Sequence, residues 1–104
     1  MLKYDSINNM YKVEDVKEKL EPILKQHNVK SAVLFGSVAK NTATSKSDVD
    51  ILVNSGLKGI AFYGLLEDIV TKLKTKVDLI DTSQIESGSK NDQEIKNTGI
   101  LFYG

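Results

Sequence analysis

Three short apolar runs, spaced between segments of helical periodicity, set the strongest limit on what this chain can become. Residues 31–35 (Ser-Ala-Val-Leu-Phe) end at Gly36 and read as a buried strand. Residues 48–53 (Asp-Val-Asp-Ile-Leu-Val) read as a second strand, and the unbroken Ile51-Leu52-Val53 predicts burial on both faces. Residues 77–80 (Val-Asp-Leu-Ile) give a third. Val13, Val16, Leu20, Ile23 and Leu24 recur at helical spacing over 13–27. Pro22 lies inside that pattern, lacks an N–H and crowds the Glu18 carbonyl, which predicts a kink or a break. Ile60, Leu65, Leu66, Ile69, Val70 and Leu73 form the apolar face of a helix from Ile60 to Leu73 or Lys74. The polar stretch 82–91 reads as irregular, a helical turn or two over 92–97 ends at Gly99 as a C-cap, and 100–103 adds an edge strand. Strands alternating with helices give an α/β domain, and 104 residues make it a single one, 1–104.

The composition narrows the function classes. Forty per cent apolar residues support a modest core, and the chain has no Cys, so neither disulfides nor thiolate metal sites contribute. No apolar run resembles a signal peptide or a membrane span, which gives the expectation of a soluble, cytoplasmic protein. The 14 basic residues, all Lys, balance 14 acidic ones, and that even charge argues against direct, sequence-independent nucleic-acid binding. With no Arg for two-pronged grips, any phosphate must be held by backbone N–H groups, hydroxyls, Lys or metal.

The chemistry concentrates in the carboxylates. In a strand, Asp48 and Asp50 point the same way with α-carbons roughly 6.5–7 Å apart. Two such groups repel unless a cation lies between them, and hard oxygen donors suit Mg²⁺ or Mn²⁺. Alone, the pair also fits a strand-entry cap beside an exposed edge residue. Asp78 supplies a third carboxylate, and it completes a metal site if its strand neighbours the one carrying Asp50; otherwise it is an edge charge or a partner for Lys76. Asp81 is a rival ligand, although its place at a strand end suits the start of a turn.

The other half of the pattern is Leu34-Phe35-Gly36-Ser37-Val38-Ala39. A strand ending in Gly-Ser at the opening of a short helix suits an anion: Gly36 lets the backbone approach, the helix start offers N–H groups, and Ser37 adds a hydroxyl. An ordinary turn with Ser37 as N-cap fits the same residues. Together the pieces describe a triphosphate grip beside a carboxylate metal cluster.

The stretches Phe35-Gly36-Ser37-Val38-Ala39, Ser47-Asp48-Val49-Asp50-Ile51-Leu52-Val53 and Val77-Asp78-Leu79-Ile80-Asp81 resemble the minimal nucleotidyltransferases of the DNA polymerase β-like superfamily. Within it they resemble the MNT domains of MntA-like antitoxins paired with HEPN toxins. The resemblance covers nearly the whole chain and implies a polymerase β palm-like fold, a small mixed β-sheet packed with α-helices. It implies a Mg²⁺-dependent enzyme, with Mn²⁺ as the other suitable ion. Asp48, Asp50 and Asp78 would be its catalytic metal ligands, and Gly36, Ser37, Lys40 and Lys46 its nucleotide-binding residues. Where such domains often carry Arg, this chain has Val38, Lys40 and Asn41; of these the resemblance leaves Lys40 able to contact a phosphate and Val38 not.

The implied reaction is in-line attack on the α-phosphate of ATP, with pyrophosphate leaving. The implied acceptor is a tyrosine of a HEPN-type ribonuclease toxin, bound in a hetero-oligomer and neutralised by AMP transfer. A non-catalytic antitoxin that covers its partner and a nucleotidyltransferase for a small molecule are the competing readings. His27 reads as a helix-end residue, Lys72, Lys74 and Lys76 as a solvated run, and Phe62 and Tyr63 as core or loop anchors. Tyr4 and Tyr11 could serve a partner interface.

Overall fold

A computed structural model describes residues 13–36 and 49–104. In chain order these form α1 (Val13–Gln26), β1 (Ser31–Phe35), β2 (Val49–Asn54), α2 (Ile60–Leu73) and β3 (Val77–Asp81), then a 3₁₀ turn (Thr82–Gln84), α3 (Lys90–Thr98) and β4 (Ile100–Tyr103). The four strands make one mixed sheet in the order β3-β2-β1-β4. β1 runs antiparallel to both β2 and β4, while β2 and β3 are parallel and joined by α2. A parallel pair needs such a crossover, because a hairpin can join only antiparallel neighbours.

Of the kink or break expected at Pro22, the break does not occur, since one helix spans Val13–Gln26. Pro22 and Glu18 are both exposed, so the Glu18 carbonyl that loses its helical donor is within reach of water. On the opposite face Val16, Leu20 and Leu24 are fully buried at a spacing of four and hold the segment to the core. Glu14 and Asp15 at the first turn and Lys25 at the last complement the helix dipole. The helix then ends through Asn28 at φ 58°, a left-handed position that Asn tolerates, and Val29 N–H closes the turn on Leu24 O at 2.9 Å.

Helices α1 and α2 cover one face of the sheet. Their inward residues Leu20, Leu24, Leu65, Ile69 and Leu73 pack with Ala32, Leu34, Val49, Ile51, Val53, Val77, Leu79 and Phe102 in a continuous buried cluster. Burial alternates along β2 and β3, so the residues between these belong to the other face. There Leu52 is half-buried, so Ile51-Leu52-Val53 is covered on both sides, as expected, but less completely on the second. Ile60 is not part of the α2 apolar face as predicted; it is 89% exposed at the first turn, and Tyr63 is 69% exposed rather than an anchor. Phe62 does pack against the core.

Residues 82–91 are less irregular than their polarity suggests. The 3₁₀ turn occupies 82–84, and α3 begins at Lys90 with Ser89 as its N-cap, the hydroxyl accepting from Asp92 N–H at 3.2 Å. Gly99 caps α3 as predicted, its N–H reaching Ile95 O at 2.8 Å. A side chain there would lie 3.0 Å from Val33 Cγ1, so the missing Cβ lets the end of α3 close down on β1. β4 forms the expected edge strand, and Asp92 receives an N–H from Gly88 at 2.8 Å and pairs with Lys96 at 3.0 Å.

Candidate functional site

The register of two strands decides where the acidic residues meet. β2 and β3 pair so that Asp50 lies directly beside Asp78, flanked by Val49 beside Val77 and Ile51 beside Leu79. Side chains in register on neighbouring parallel strands share a face, and the strands run roughly 4.8 Å apart. Val49, Ile51, Val77 and Leu79 turn into the helix-covered core, so Asp50 and Asp78 project together from the opposite face. Asp50 is half-buried and Asp78 exposed. The condition the sequence left open, that the Asp78 strand neighbours the Asp50 strand, is met.

Phe35 extends the same row, since it pairs with Asp50 across the antiparallel β1–β2 ladder. It is 3% exposed yet stands outside the main buried cluster, as expected of a residue on the acidic face. Immediately after it, Gly36 has φ 76° and lies against the Asp50 carboxylate. A Cβ at this position would collide with Asp50 Oδ2 and lie 3.2 Å from Asp50 Cγ. Gly36 is thus required twice, for a left-handed backbone and for the space that Asp50 occupies. Gly36 and Asp50, from motifs separate in the sequence, are in contact in the fold.

Ser37, Lys40, Lys46 and Asp48 lie outside the described residues. Among the described residues no group of three or more His, Cys, Asp or Glu is placed to hold a metal ion; the described part of the site is the Asp50–Asp78 pair. Its donors fit a hard divalent cation: two carboxylates on one face, held close by backbone pairing and mutually repulsive without a cation.

Asp81, the rival ligand, is committed elsewhere. It is 4% exposed and faces the helix side of the sheet. Its Oδ1 accepts from the Ser55 N–H (3.0 Å) and hydroxyl (2.7 Å), and its Oδ2 from the Ser83 N–H (3.0 Å) and hydroxyl (2.7 Å). The Asp81 N–H donates to Gln84 Oε1 at 3.0 Å, completing a capping box on the 3₁₀ turn. Burial raises the Asp81 pKa, but the Ser55 and Ser83 hydroxyls and amides more than offset it and hold the group at about 2. Asp81 is therefore a structural carboxylate that ties the ends of β2 and β3 together, as its place at the start of a turn suggested.

A cavity of about 450 Å³ lies near that end, bordered by Leu57, Phe62, Tyr63, Leu66, Leu79 and Ser83. Leu79 points to the helix side, so this space is not continuous with the Asp50–Asp78 face. His27 sits just past α1 and bonds through Nε2 to Asp68 Oδ2 at 2.7 Å, linking α1 to α2, a helix-end role consistent with its position. The lysine run divides. Lys72 lies in the last turn of α2 and Lys74 is its left-handed cap, with N–H to Val70 O at 2.7 Å, whereas Lys76 leads into β3.

A family model described as polymerase beta, nucleotidyltransferase matches residues 18–104. A candidate protein adenylyltransferase of Methanocaldococcus jannaschii is 37% identical over 78 residues, covering 72% of this chain and 80% of that one. Another of the same name and organism is 48% identical over 44 residues, a match that spans 42% of this chain and 47% of the relative. Among solved structures, a chain from a crystal structure of a toxin–antitoxin with AMP-PNP superposes with a TM-score of 0.73 at 26% identity, covering 85% of this chain and 73% of that one. A chain from the complex of a tri-AMPylated Shewanella oneidensis HEPN toxin with its MNT antitoxin shares the fold, with a TM-score of 0.67 at 23% identity over 88% of this chain and 72% of that one.

Proposed function

The chain belongs to the polymerase β nucleotidyltransferase family, and from that premise we propose that it is an antitoxin that transfers AMP from ATP to a tyrosine of a HEPN-type ribonuclease toxin. The observation that carries this reading is the in-register Asp50–Asp78 pair on the face opposite α1 and α2, with Gly36 seated against Asp50. Relatives named for protein adenylylation and the 26%-identical chain from a toxin–antitoxin with AMP-PNP support the donor and the kind of partner. A cytoplasmic location goes with a donor that the cytoplasm supplies.

In this reading the tyrosine oxygen attacks the α-phosphorus in line, the bond to the β-phosphate oxygen breaks, and pyrophosphate leaves with the electron pair. Asp50, Asp78 and Asp48 would hold Mg²⁺, which supplies neutralisation of the triphosphate and a lowered pKa at the acceptor hydroxyl. Gly36 keeps space for the Asp50 carboxylate and for close approach of the β- and γ-phosphates to the backbone N–H groups that follow, with Ser37 adding its hydroxyl. Lys40 and Lys46 would add cationic contacts to the triphosphate. Because the acids are fixed by strand pairing, the protein's contribution is mostly positioning and preorganised charge.

The test is co-expression with the cognate toxin followed by intact-mass analysis. Each transfer adds one adenylyl group to the toxin, and Asp50→Asn abolishes the addition. A toxin that is neutralised yet unmodified would replace the enzymatic reading with inhibition by binding alone.

A further inference from the structure

Lys76 carries the inference that the nucleotide site has a cation its motifs do not name. The Val49 N–H donates to the Lys76 carbonyl at 3.1 Å, extending the β2–β3 ladder one residue before the first paired positions. Lys76 is thereby held in line with the strand that follows, where Val77 is buried against the helices and Asp78 exposed on the other side. Alternation puts Lys76 on the Asp78 face, one pleat and roughly 6.5–7 Å before it along the strand. Lys76 is exposed, and its four-carbon stem spans roughly 6 Å, which puts the Asp50–Asp78 pair within reach of its ammonium. Its neighbours do not share this placement, because Lys72 and Lys74 belong to the end of α2.

The charge balance gives that placement a use. The carboxylates that would hold Mg²⁺ offset its charge and leave little positive potential for a ligand that stays strongly anionic after binding a single Mg²⁺. The chain has no Arg, so Lys is the residue type that can supply the remaining side-chain charge. We propose that Lys76 is a nucleotide-binding residue that contacts the β- or γ-phosphate of the triphosphate. This rests on the nucleotidyltransferase reading above and adds to it a specific residue outside the Gly-Ser and Asp-x-Asp motifs.

The test measures binding of AMP-PNP with Mg²⁺, and separately of AMP, to the full chain by calorimetry, with melting temperatures as a fold control. Lys76→Met should bind Mg²⁺–AMP-PNP about tenfold more weakly, the size of one charge-assisted contact, and bind AMP as the wild type does. Lys76→Arg should restore AMP-PNP affinity, and none of these variants should change the melting temperature. Wild-type affinity in Lys76→Met, while Asp50→Asn no longer binds, would overturn the role of Lys76 and leave the nucleotidyltransferase reading standing. Equal weakening toward AMP and AMP-PNP would also overturn it, since the contact would then not be to the β- or γ-phosphate. No Mg²⁺-dependent binding by the wild type would overturn both.

Discussion

Replacing Asp81 by Asn isolates a charge whose role is structural. The native Asp81 carboxyl is held at about 2 against an ordinary 3.8, with both oxygens occupied by Ser55 and Ser83 donors. A depression of that size contributes about 2 kcal/mol of stability when the group is ionised in both states. Because the native value is the lower one, that stability is present above pH 3.8 and is lost as pH falls through about 2. Asn also turns an amide NH₂ toward Ser donors, and each unsatisfied buried group left behind costs about 1–3 kcal/mol more. Urea unfolding followed by circular dichroism, from neutral pH down to about pH 2.5, should therefore show Asp81→Asn destabilised by at least about 2 kcal/mol at neutrality. The gap between wild type and variant should then narrow as the solution is acidified. Other carboxylates titrate in both proteins, so the difference between the two curves reports Asp81. A gap that stays constant with pH would refute the claim that the serines hold this group ionised.

Gly36→Ala should cost about 1–2 kcal/mol through its left-handed backbone, read as a lower melting temperature, and should abolish toxin adenylylation. Gly36→Asn tolerates that backbone better but retains the Cβ that collides with Asp50, so it should recover stability and not activity. Asp78→Asn should abolish transfer while leaving the melting temperature unchanged or higher, because it relieves the like charge beside Asp50; a large loss of stability would contradict the placement of Asp78 on the open face. Pro22→Ala restores an N–H to a continuous helix and should stabilise the protein in urea unfolding by about 1–3 kcal/mol.

Helices α1 and α2 and strands β1 to β3 were legible because the helices carry apolar residues three and four apart and the strands are short apolar runs, whereas the polar 82–91 gave no such signal. Of the kink or break expected at Pro22, the break fails because the deprived carbonyl meets water, and sequence alone does not say which side of a helix is wet. Ile60 misled for a related reason, since a residue at the first turn can continue the apolar pattern after the surface it would bury against has ended. The candidate site could be proposed from residue types but not located as geometry. Asp78 belonged with Asp50 only if two strands paired in one particular register, a long-range fact with no local signature. The contact between Gly36 and Asp50 is of the same kind. Asp81 could have been read further: Asp81-Thr82-Ser83-Gln84 has the spacing of a capping box, which already marks its side chain as occupied. Lys76 was hidden by its neighbours, because a run of alternating lysines looks uniform until a helix end and a strand start divide it.

The pairing of Asp50 with Asp78 has a mechanical consequence. The separation of these carboxylates is gauged by main-chain hydrogen bonds between two parallel strands, which act as a ruler whose graduations are residues. Sliding β3 by a single position would carry Asp78 into the packed interior and bring Val77 or Leu79 out in its place. A one-residue slip therefore has no mild form: it presents one acid and buries the charge of the other. Such a folding error cannot leave both acids on the same face, and the in-register pair reports that β2 and β3 have assembled without a one-residue slip.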